Sequence, residues 1–331
     1  MTSLSAALAR RVEGRRPHAI SAVLLPYTPA GQIDWAAFER HLLRTRQAGL
    51  DVAVNMDTGF VDLLSARERE AVLDATRRAL PQGTPFYAGA FADPGSDDPV
   101  DSYQAAIAAI ARHGGVPVLV QCRAMQRLGP AETARLYQRM CARTERALAF
   151  ELAPVFAPHG AIWSDETFER LLAIPQLCGA KHSSLDRGTE LRRLATRDRL
   201  RPEFRIYTGN DLAIDMVLYG SDYLLGLSTF TPERFSARDA ALTAGELEFL
   251  ALNDALQHLG NIGFRAPVPA YKHAAAQFLH LTGGLESDAI HPHAPRRPGS
   301  DRILLLDCAL RLGLIDDPER VYAERVRPFL P

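Results

Sequence analysis

Eight short apolar runs recur along the first two-thirds of the sequence, with longer polar and apolar segments between them. The runs are rich in β-branched and aromatic residues, and their starts lie roughly 20 to 35 residues apart, the length of a strand, a loop and a helix. Such regular alternation predicts parallel strands that are joined by helices. The runs are 19–27, 51–56, 85–91, 116–122, 147–153, 177–181, 204–209 and 223–229.

The segments between the runs carry helical signals. Trp35, Phe38 and Leu42 recur at the spacing of one helix face. Ser65, followed by Glu68 three residues later, forms the capping-box pattern that begins a helix. We therefore predict a (β/α)8 TIM barrel whose core spans residues 1–235, with the last barrel helix and a C-terminal helical extension in 236–331. The runner-up is an open doubly wound sheet, but its usual GxGxxG loop is absent from the sequence.

Composition and charge exclude several classes of protein. The formal net charge of the 331 residues is -1. The sequence therefore lacks the excess of basic residues that would indicate a nucleic-acid partner. No run of eighteen apolar residues indicates a membrane span. The cysteines are far apart and form no CxxC, which predicts neither a metal site nor a redox pair and is typical of a reducing compartment. We expect a cytoplasmic protein; its cysteines are Cys122, Cys141, Cys178 and Cys308.

One lysine stands where a barrel of this kind has its active site, at the C-terminal end of a strand. Lys181 ends the sixth run, and it is the only lysine at any predicted strand end. An amine that is pressed against apolar walls has a lowered pKa, which frees its lone pair to attack a carbonyl. The protonated imine that results is an electron sink for making or breaking a neighbouring bond. The alternative is a lysine that lies in water beyond the strand.

Five motifs, taken in order, resemble those of one enzyme family. "AISAVLLPYTPAGQID" is similar to its opening strand, "NMDTGFVDLLSARERE" to G-T-T-G-E with the helix after it, and "CGAKHSSLD" to G-x-K-[DE]-[ST]-[ST]-x-D. "YTGND" and "YGSDYLLGLSTFTPERF" match two further motifs. From about residue 18 to about residue 285, the chain resembles the dihydrodipicolinate synthase / N-acetylneuraminate lyase family of class I aldolases, as a divergent member.

The resemblance implies a function and several site residues. Lys181 takes the place of the Schiff-base lysine, and Thr58 and Gly59 stand in the motif that holds the substrate carboxylate. We expect a lyase, aldolase or hydro-lyase that acts on pyruvate or a related 2-oxo acid, without a metal or organic cofactor. The resemblance also implies a homo-oligomer, either a dimer or a tetramer.

Three departures from the family pattern bear on this reading. Asp57 replaces the first threonine of the carboxylate motif, and a carboxylate there repels the substrate unless it is protonated or paired. Glu151 stands where the family has a catalytic tyrosine, and Arg123 follows the fourth run. One hypothesis is that Glu151 shuttles protons with a pKa raised by burial and that Arg123 binds the substrate carboxylate. The others are that Glu151 and Arg123 pair with each other, or that the site has decayed.

Further polar residues at the strand ends allow more than one interpretation. Ser183 is a hydrogen-bond donor for the substrate or for a nearby loop, and Ser228 is a candidate substrate contact. Asn210 and Asp211 are either contacts to a polyol substrate or the cap of a helix. His182 points away from Lys181 because side chains alternate along a strand, and Lys272 is expected to be an ion-pair partner. The alternative to an enzyme is a catalytically silent barrel that binds a small carboxylate or a protein partner.

Overall fold

The computed structural model describes residues 3–92 and 98–330. The outer limits of the two predicted segments, residues 1 and 331, lie outside the described residues. Within these ranges, eight parallel strands close into a barrel in chain order, which confirms the predicted TIM barrel and excludes the open sheet. The strands are β1 (Ala19–Ala22), β2 (Asp51–Val54), β3 (Phe86–Ala90), β4 (Gly115–Leu119), β5 (Ala147–Leu152), β6 (Leu177–Ser183), β7 (Arg205–Thr208) and β8 (Asp222–Leu225).

Helices alternate with the strands and continue beyond the barrel. A short helix precedes β1, an α-helix follows each of β1 to β6, a 3₁₀ helix (Ile214–Tyr219) follows β7, and the described chain has helices and loops but no further strand after β8. In the described part of the chain they are α1 (Leu4–Leu8), α2 (Trp35–Gln47), α3 (Ala66–Ala79), α4 (Val100–Arg112), α5 (Pro130–Cys141), α6 (Asp165–Leu172), α7 (Arg187–Leu200), α8 (Pro232–Ala244), α9 (Glu248–Gly263), α10 (Tyr271–Leu281), α11 (Asp301–Arg311) and α12 (Pro318–Arg325). None of these helices combines the length and the apolar character that a membrane span requires.

Local signals fix where the helices begin. The predicted capping box is confirmed, because the Ser65 hydroxyl accepts from the backbone N–H of Glu68 and the Glu68 carboxylate accepts from that of Ser65. Asp34 accepts a hydrogen bond from the N–H of Ala37 and caps α2 in the same way. These caps satisfy backbone groups that a helix leaves open, so the starts of α2 and α3 are fixed locally.

The pairing of β5 with β6 defines two faces that matter for the site. Phe150 pairs with Lys181, and Glu151 pairs with His182. Side chains alternate along a strand, and residues paired across neighbouring strands point to the same face. Lys181 and Phe150 therefore share the face directed into the barrel, whereas Glu151 and His182 share the face that packs against the helices.

Candidate active site

Lys181 lies at the mouth of the barrel with its amine buried among apolar and acidic groups. Its side chain is 5% exposed, and the amine is 4.3 Å from the centre of the Phe150 ring. A Cβ atom at position 209 would lie 2.7 Å from the Lys181 Cε, so Gly209 leaves the room that this side chain occupies. No hydrogen bond or ion pair to the Lys181 amine occurs among residues 3–92 and 98–330.

Burial shifts the protonation of the Lys181 amine toward the neutral form. Burial lowers the pKa of Lys181, and the negative charges of Asp211 and Asp57 oppose that change without cancelling it. Burial also raises the pKa of Asp211 to about 7, helped by the charge of Asp57 and opposed by Lys181. The Asp211 carboxylate accepts the backbone N–H of Leu227 at 2.7 Å, which holds it in place. The site thus contains an amine and a carboxyl group that both change protonation more easily than usual.

A second group of polar side chains forms around the turn after β2. Asp57, Thr58 and Gly59 make one 3₁₀ turn, and the Thr58 hydroxyl lies 2.8 Å from the phenol oxygen of Tyr271 in α10. Tyr271 donates to one carboxylate oxygen of Asp57 at 2.8 Å, and Lys272 donates to the other at 2.9 Å. A helix of the C-terminal segment therefore supplies two side chains to the mouth of the barrel.

The pairing with Lys272 determines the charge state of Asp57. Burial would raise the pKa of Asp57, but the charge and hydrogen bond of Lys272, with smaller contributions from Tyr271 and Lys181, lower it. The carboxylate is thus ionised and neutralised by a partner rather than protonated. The ion pair also agrees with the role expected for Lys272.

Both lysines of the sequence lie in this one site. They differ in bonding, since Lys272 is held in an ion pair with Asp57 and Lys181 is not. Lys181, whose pKa burial lowers, is the better nucleophile, because the ammonium of Lys272 is held charged in its ion pair and has no free lone pair.

The comparisons with known proteins agree with the fold. A family model described as protein of unknown function (DUF993) matches residues 4–331. The chain belongs to that family. No curated protein matches its sequence.

Solved structures of similar fold cover nearly the whole chain at low identity. Dihydrodipicolinate synthase from Thermotoga maritima is 18% identical with a TM-score of 0.79, over 91% of this chain and 99% of that chain. A prophage protein of the dihydrodipicolinic acid synthase family from E. coli K12, in complex with pyruvate, is 17% identical with a TM-score of 0.79, over 90% and 99%. The chloride-inhibited synthase from Acinetobacter baumannii, complexed with pyruvate, is 21% identical with a TM-score of 0.74, over 91% and 100%. These likenesses show the fold of the chain.

The structure does not place Glu151 beside Lys181. Its carboxylate faces the helices, where it accepts from the Nδ1 of His182 at 2.6 Å, from Arg193 of α7 at 2.8 Å and from the backbone of Trp163 at 2.9 Å. Burial raises the pKa of Glu151, but His182 and Arg193 outweigh burial and lower it to about 2. The predicted raised pKa is therefore wrong, and the expected pairing of Glu151 with Arg123 is replaced by a pairing with Arg193.

Two other predicted contacts are already occupied within the protein. Asn210 donates to the buried carboxylate of Glu190 in α7 at 2.6 Å and accepts the N–H of Leu185 at 2.6 Å. The Ser228 hydroxyl is 2.9 Å from that of Ser21 and 2.9 Å from the carbonyl oxygen of Leu225. Because both side chains are fully buried and bonded, the structure favours a structural role for them over the predicted substrate contacts.

Ser183 and Arg123 are free to contact a ligand, at two depths of the mouth. The Ser183 hydroxyl is buried without a hydrogen-bond partner, and it lies beside Gly209, as the Lys181 side chain does. Arg123 is exposed in the turn after β4. Its charge and that of Asp57 act on His159 in opposite directions: burial and Arg123 lower the pKa of His159, and Asp57 raises it. Arg123 is therefore exposed at the mouth, whereas Ser183 is buried next to Lys181.

Sequence reasoning missed two side chains of the site, Phe150 and Tyr271. Phe150 is the residue of β5 that faces Lys181, one position before the predicted Glu151. Phe150 can be identified by pairing β5 with β6 and following the face of Lys181. That step requires the register between the two strands, which the sequence alone does not give. Tyr271 directly precedes Lys272 in the sequence, and no local pattern indicates that its helix reaches the barrel mouth. In the part of the chain that the structure describes, no group of three or more His, Cys, Asp or Glu side chains is arranged to hold a metal ion.

Proposed function

We propose that this protein is a lyase of the class I aldolase type, which forms a Schiff base between Lys181 and pyruvate or a related 2-oxo acid. The observation that supports this most directly is the buried, unbonded amine of Lys181, whose pKa burial lowers, at the mouth of a TIM barrel. Two solved structures of similar fold are described as complexes with pyruvate, which favours a 2-oxo acid as the substrate.

The chemistry begins at the amine nitrogen. The lone pair of Lys181 attacks the C2 carbonyl carbon of the 2-oxo acid, and the carbinolamine that forms loses one water to give the imine. The protonated imine then accepts an electron pair when the bond beside it breaks, so the lysine itself is the electron sink and no metal or organic cofactor is needed. Asp211 is suited to move the protons of these steps, because its pKa of about 7 lets it donate and accept near neutral pH.

The remaining groups are assigned to substrate binding. Thr58 and Gly59, with the hydroxyl of Ser183, would hold the carboxylate and carbonyl of the 2-oxo acid near Lys181. Asp57 tolerates a substrate carboxylate because its charge is neutralised by Lys272. The exposed guanidinium of Arg123 at the rim would bind a carboxylate of the substrate in the fork geometry that arginine provides.

A silent barrel is the second candidate function, and one observation favours it. The side chain of β5 that faces Lys181 is the apolar ring of Phe150 and not a hydroxyl that could transfer protons. On this hypothesis, the mouth binds a small carboxylate or a protein partner without forming a covalent bond. Cytoplasmic location and a dimeric or tetrameric state remain predictions on either hypothesis.

Reductive trapping distinguishes the two functions. The full chain is incubated with pyruvate and borohydride and its intact mass is measured, followed by peptide mapping. We expect one added pyruvate on Lys181, its loss in Lys181→Met, and its retention in Lys272→Arg, which keeps the ion pair with Asp57. With only two lysines in the sequence, the map assigns the adduct without ambiguity. An adduct on Lys272 would overturn the assignment of the Schiff base to Lys181. No adduct with pyruvate or with a panel of longer 2-oxo acids would overturn the proposal and favour the silent barrel.

A further inference from the structure

A large cleft opens at the end of the barrel opposite Lys181. It has a volume of about 980 Å³, and it lies where the strands begin, since Ala19, Asp51 and Arg205 are the first residues of β1, β2 and β7. We name it the basal cleft; its lining includes Arg16, His18, Tyr87, Arg146, Cys178 and Tyr207. In TIM barrels this end normally serves stability rather than catalysis, so an open cleft there needs its own explanation.

The acidic side chains of the basal cleft already have cationic partners. Asp51 is bound by His18 at 2.8 Å and also by Arg46. Glu203 is bound by Arg201 at 2.8 Å, and Asp239 by Arg238 at 2.7 Å. Their negative charges are therefore compensated within the protein.

Two guanidinium groups of the same cleft have no such compensation. Arg16 and Arg146 are exposed, and neither makes a side-chain hydrogen bond or an ion pair with another residue that the structure describes. The positive charge of Arg146 also acts on the cleft wall. Burial raises the pKa of the Cys178 thiol, and the charges of Arg146, Arg201 and Arg205 all act to lower it. The lining holds three arginines and three acidic residues, but the acidic residues are bound by other cations and Arg205 by Asp222, so Arg16 and Arg146 are left to bind an anion.

The inner wall of the cleft is aromatic. Tyr207 is almost fully buried, and its hydroxyl lies 3.0 Å from the Nδ1 of His18, whose other nitrogen faces Asp51. The His18 ring lies 5.6 Å from that of Tyr207 and 6.1 Å from that of Tyr87. The hydrogen bonds of His18 to Tyr207 and Asp51 hold the His18 and Tyr207 rings in place, so this part of the wall is preformed. The His18 ring is tilted by 59° against Tyr87 and by 65° against Tyr207, so the wall presents both ring edges and ring faces.

We propose that the basal cleft is a binding site for an organic anion that carries a planar ring. The anionic group is a phosphate monoester or a carboxylate. Arg16 and Arg146 bind the anionic group as a charge-assisted pair, and the wall of Tyr87, His18 and Tyr207 contacts the ring. The site is separate from the one at Lys181, because the two open at opposite ends of β6. The proposal therefore stands whether or not Lys181 forms a Schiff base.

Calorimetric titration with three small probes tests the two halves of this site. Phenyl phosphate carries both the anion and the ring, inorganic phosphate carries the anion alone, and phenol carries the ring alone. We expect saturable binding of one phenyl phosphate per chain, tighter than that of either partial probe. Phenyl phosphate should also protect Cys178, which is half-buried in the cleft, from N-ethylmaleimide, as read by peptide mapping.

Four arginine variants locate the bound probe. Arg146→Ala should weaken phenyl phosphate binding about tenfold, as expected for the loss of one charged hydrogen-bond donor, and Arg16→Ala should act in the same direction. Arg40→Ala, at an exposed arginine of α2, and Arg123→Ala, at the barrel mouth, should leave binding unchanged. Absence of saturable binding, equal weakening by Arg123→Ala, or unprotected Cys178 would overturn the proposal, the second by placing the probe at the mouth.

Discussion

Lys181 and His182 are neighbours in β6, yet their side chains enter two clusters of buried charge that differ in how completely they are bonded. On the helix-facing side, Glu151 accepts four hydrogen bonds from His182, Arg193 and Trp163, and we call this group the outer cluster. On the barrel side, Lys181 has the Phe150 ring and the carboxylates of Asp211 and Asp57 around it but no hydrogen bond in the described structure, and we call this group the inner cluster.

The difference shows in the protonation of the two clusters. Partners outweigh burial at Glu151, whose pKa falls to about 2, so its carboxylate is charged at neutral pH. Burial outweighs partners at Lys181 and Asp211, whose pKa values move toward neutrality. A cluster of the first kind holds α7 to the barrel, and one of the second kind is ready to exchange protons with a ligand. Both clusters are buried, so burial alone does not distinguish a catalytic charge from a structural one.

The largest expected effect comes from breaking the outer cluster. Glu151→Ala leaves the guanidinium of Arg193 buried without its main partner, and we expect the free energy of unfolding to fall by about 3–5 kcal/mol. Urea denaturation at pH 7 measures it. Asp165→Ala is the matched control, because Asp165 binds the same guanidinium at 2.6 Å but is 64% exposed. Its loss should change the free energy by about 1 kcal/mol or less, and equal effects of the two variants would contradict the comparison.

The pH dependence of that effect has a definite sign. The pKa of Glu151 is lowered from its ordinary value of 4.5 to about 2 in the folded protein. Its stabilising contribution is therefore fully present above pH 4.5 and is lost as the pH falls toward 2. The difference in stability between the wild type and Glu151→Ala should shrink over that interval.

Asp211→Asn tests the proton-transfer role assigned to the inner cluster. We expect the rate of adduct formation with pyruvate to fall about 10²-fold, the lower range for loss of a general acid–base group. In the wild type the rate should rise with pH through about 7, as Asp211 loses its proton, and continue upward as Lys181 becomes neutral. The inflection near 7 should be absent from Asp211→Asn. It should remain in the control Asp215→Asn, whose carboxylate pairs with Arg187 at the surface; an unchanged profile in Asp211→Asn would remove Asp211 from the mechanism.

Opposite signs of stability change should separate the two lysines. Lys181→Met replaces a buried, unbonded amine with an apolar side chain of similar length, and we expect the free energy of unfolding to rise by about 1–2 kcal/mol. Lys272→Met removes the ion-pair partner of Asp57 and should lower it. Thermal and urea unfolding at pH 7 measure both variants. A loss of stability in Lys181→Met would show that the amine has a structural role that its geometry does not indicate.

Features that depend on local sequence patterns were predictable, and features that depend on the packed fold were not. The barrel was predictable because hydrophobic periodicity and helix caps such as Ser65 are local patterns. Lys181 was found because it ends an apolar run within a matching motif. Glu151 was misplaced because the prediction did not contain the register that sets Phe150 opposite Lys181, and a shift of one residue changes the face.

The parts of the site that the sequence did not predict depend on distant contacts. Tyr271 contacts Asp57, a residue 214 positions earlier, through a helix outside the strand–helix repeat. Arg193 reaches Glu151 from α7, 42 positions along the chain. No spacing rule connects such pairs, so only the packed fold shows that Asp57 is neutralised and that Glu151 is held away from Lys181.

The smallest expected effect distinguishes two neighbouring serines at the end of β6. Ser183 is buried with its hydroxyl unpartnered, so Ser183→Ala should leave the free energy of unfolding unchanged or raise it by less than about 1 kcal/mol. Ser184 is bonded to His182 at 2.7 Å and to the backbone of Asp186, so Ser184→Ala should lower it by about 1 kcal/mol.

Adduct formation should respond in the reverse order. Ser183→Ala should slow trapping of pyruvate, because the missing hydroxyl lies beside Lys181, whereas Ser184→Ala should not. A polar group that is left unbonded in a buried site lowers stability, and its presence is explained when a ligand completes its bonding. If Ser183→Ala changes neither stability nor trapping, its hydroxyl belongs to neither cluster, and the inner face is defined by Lys181, Asp57 and Asp211 alone.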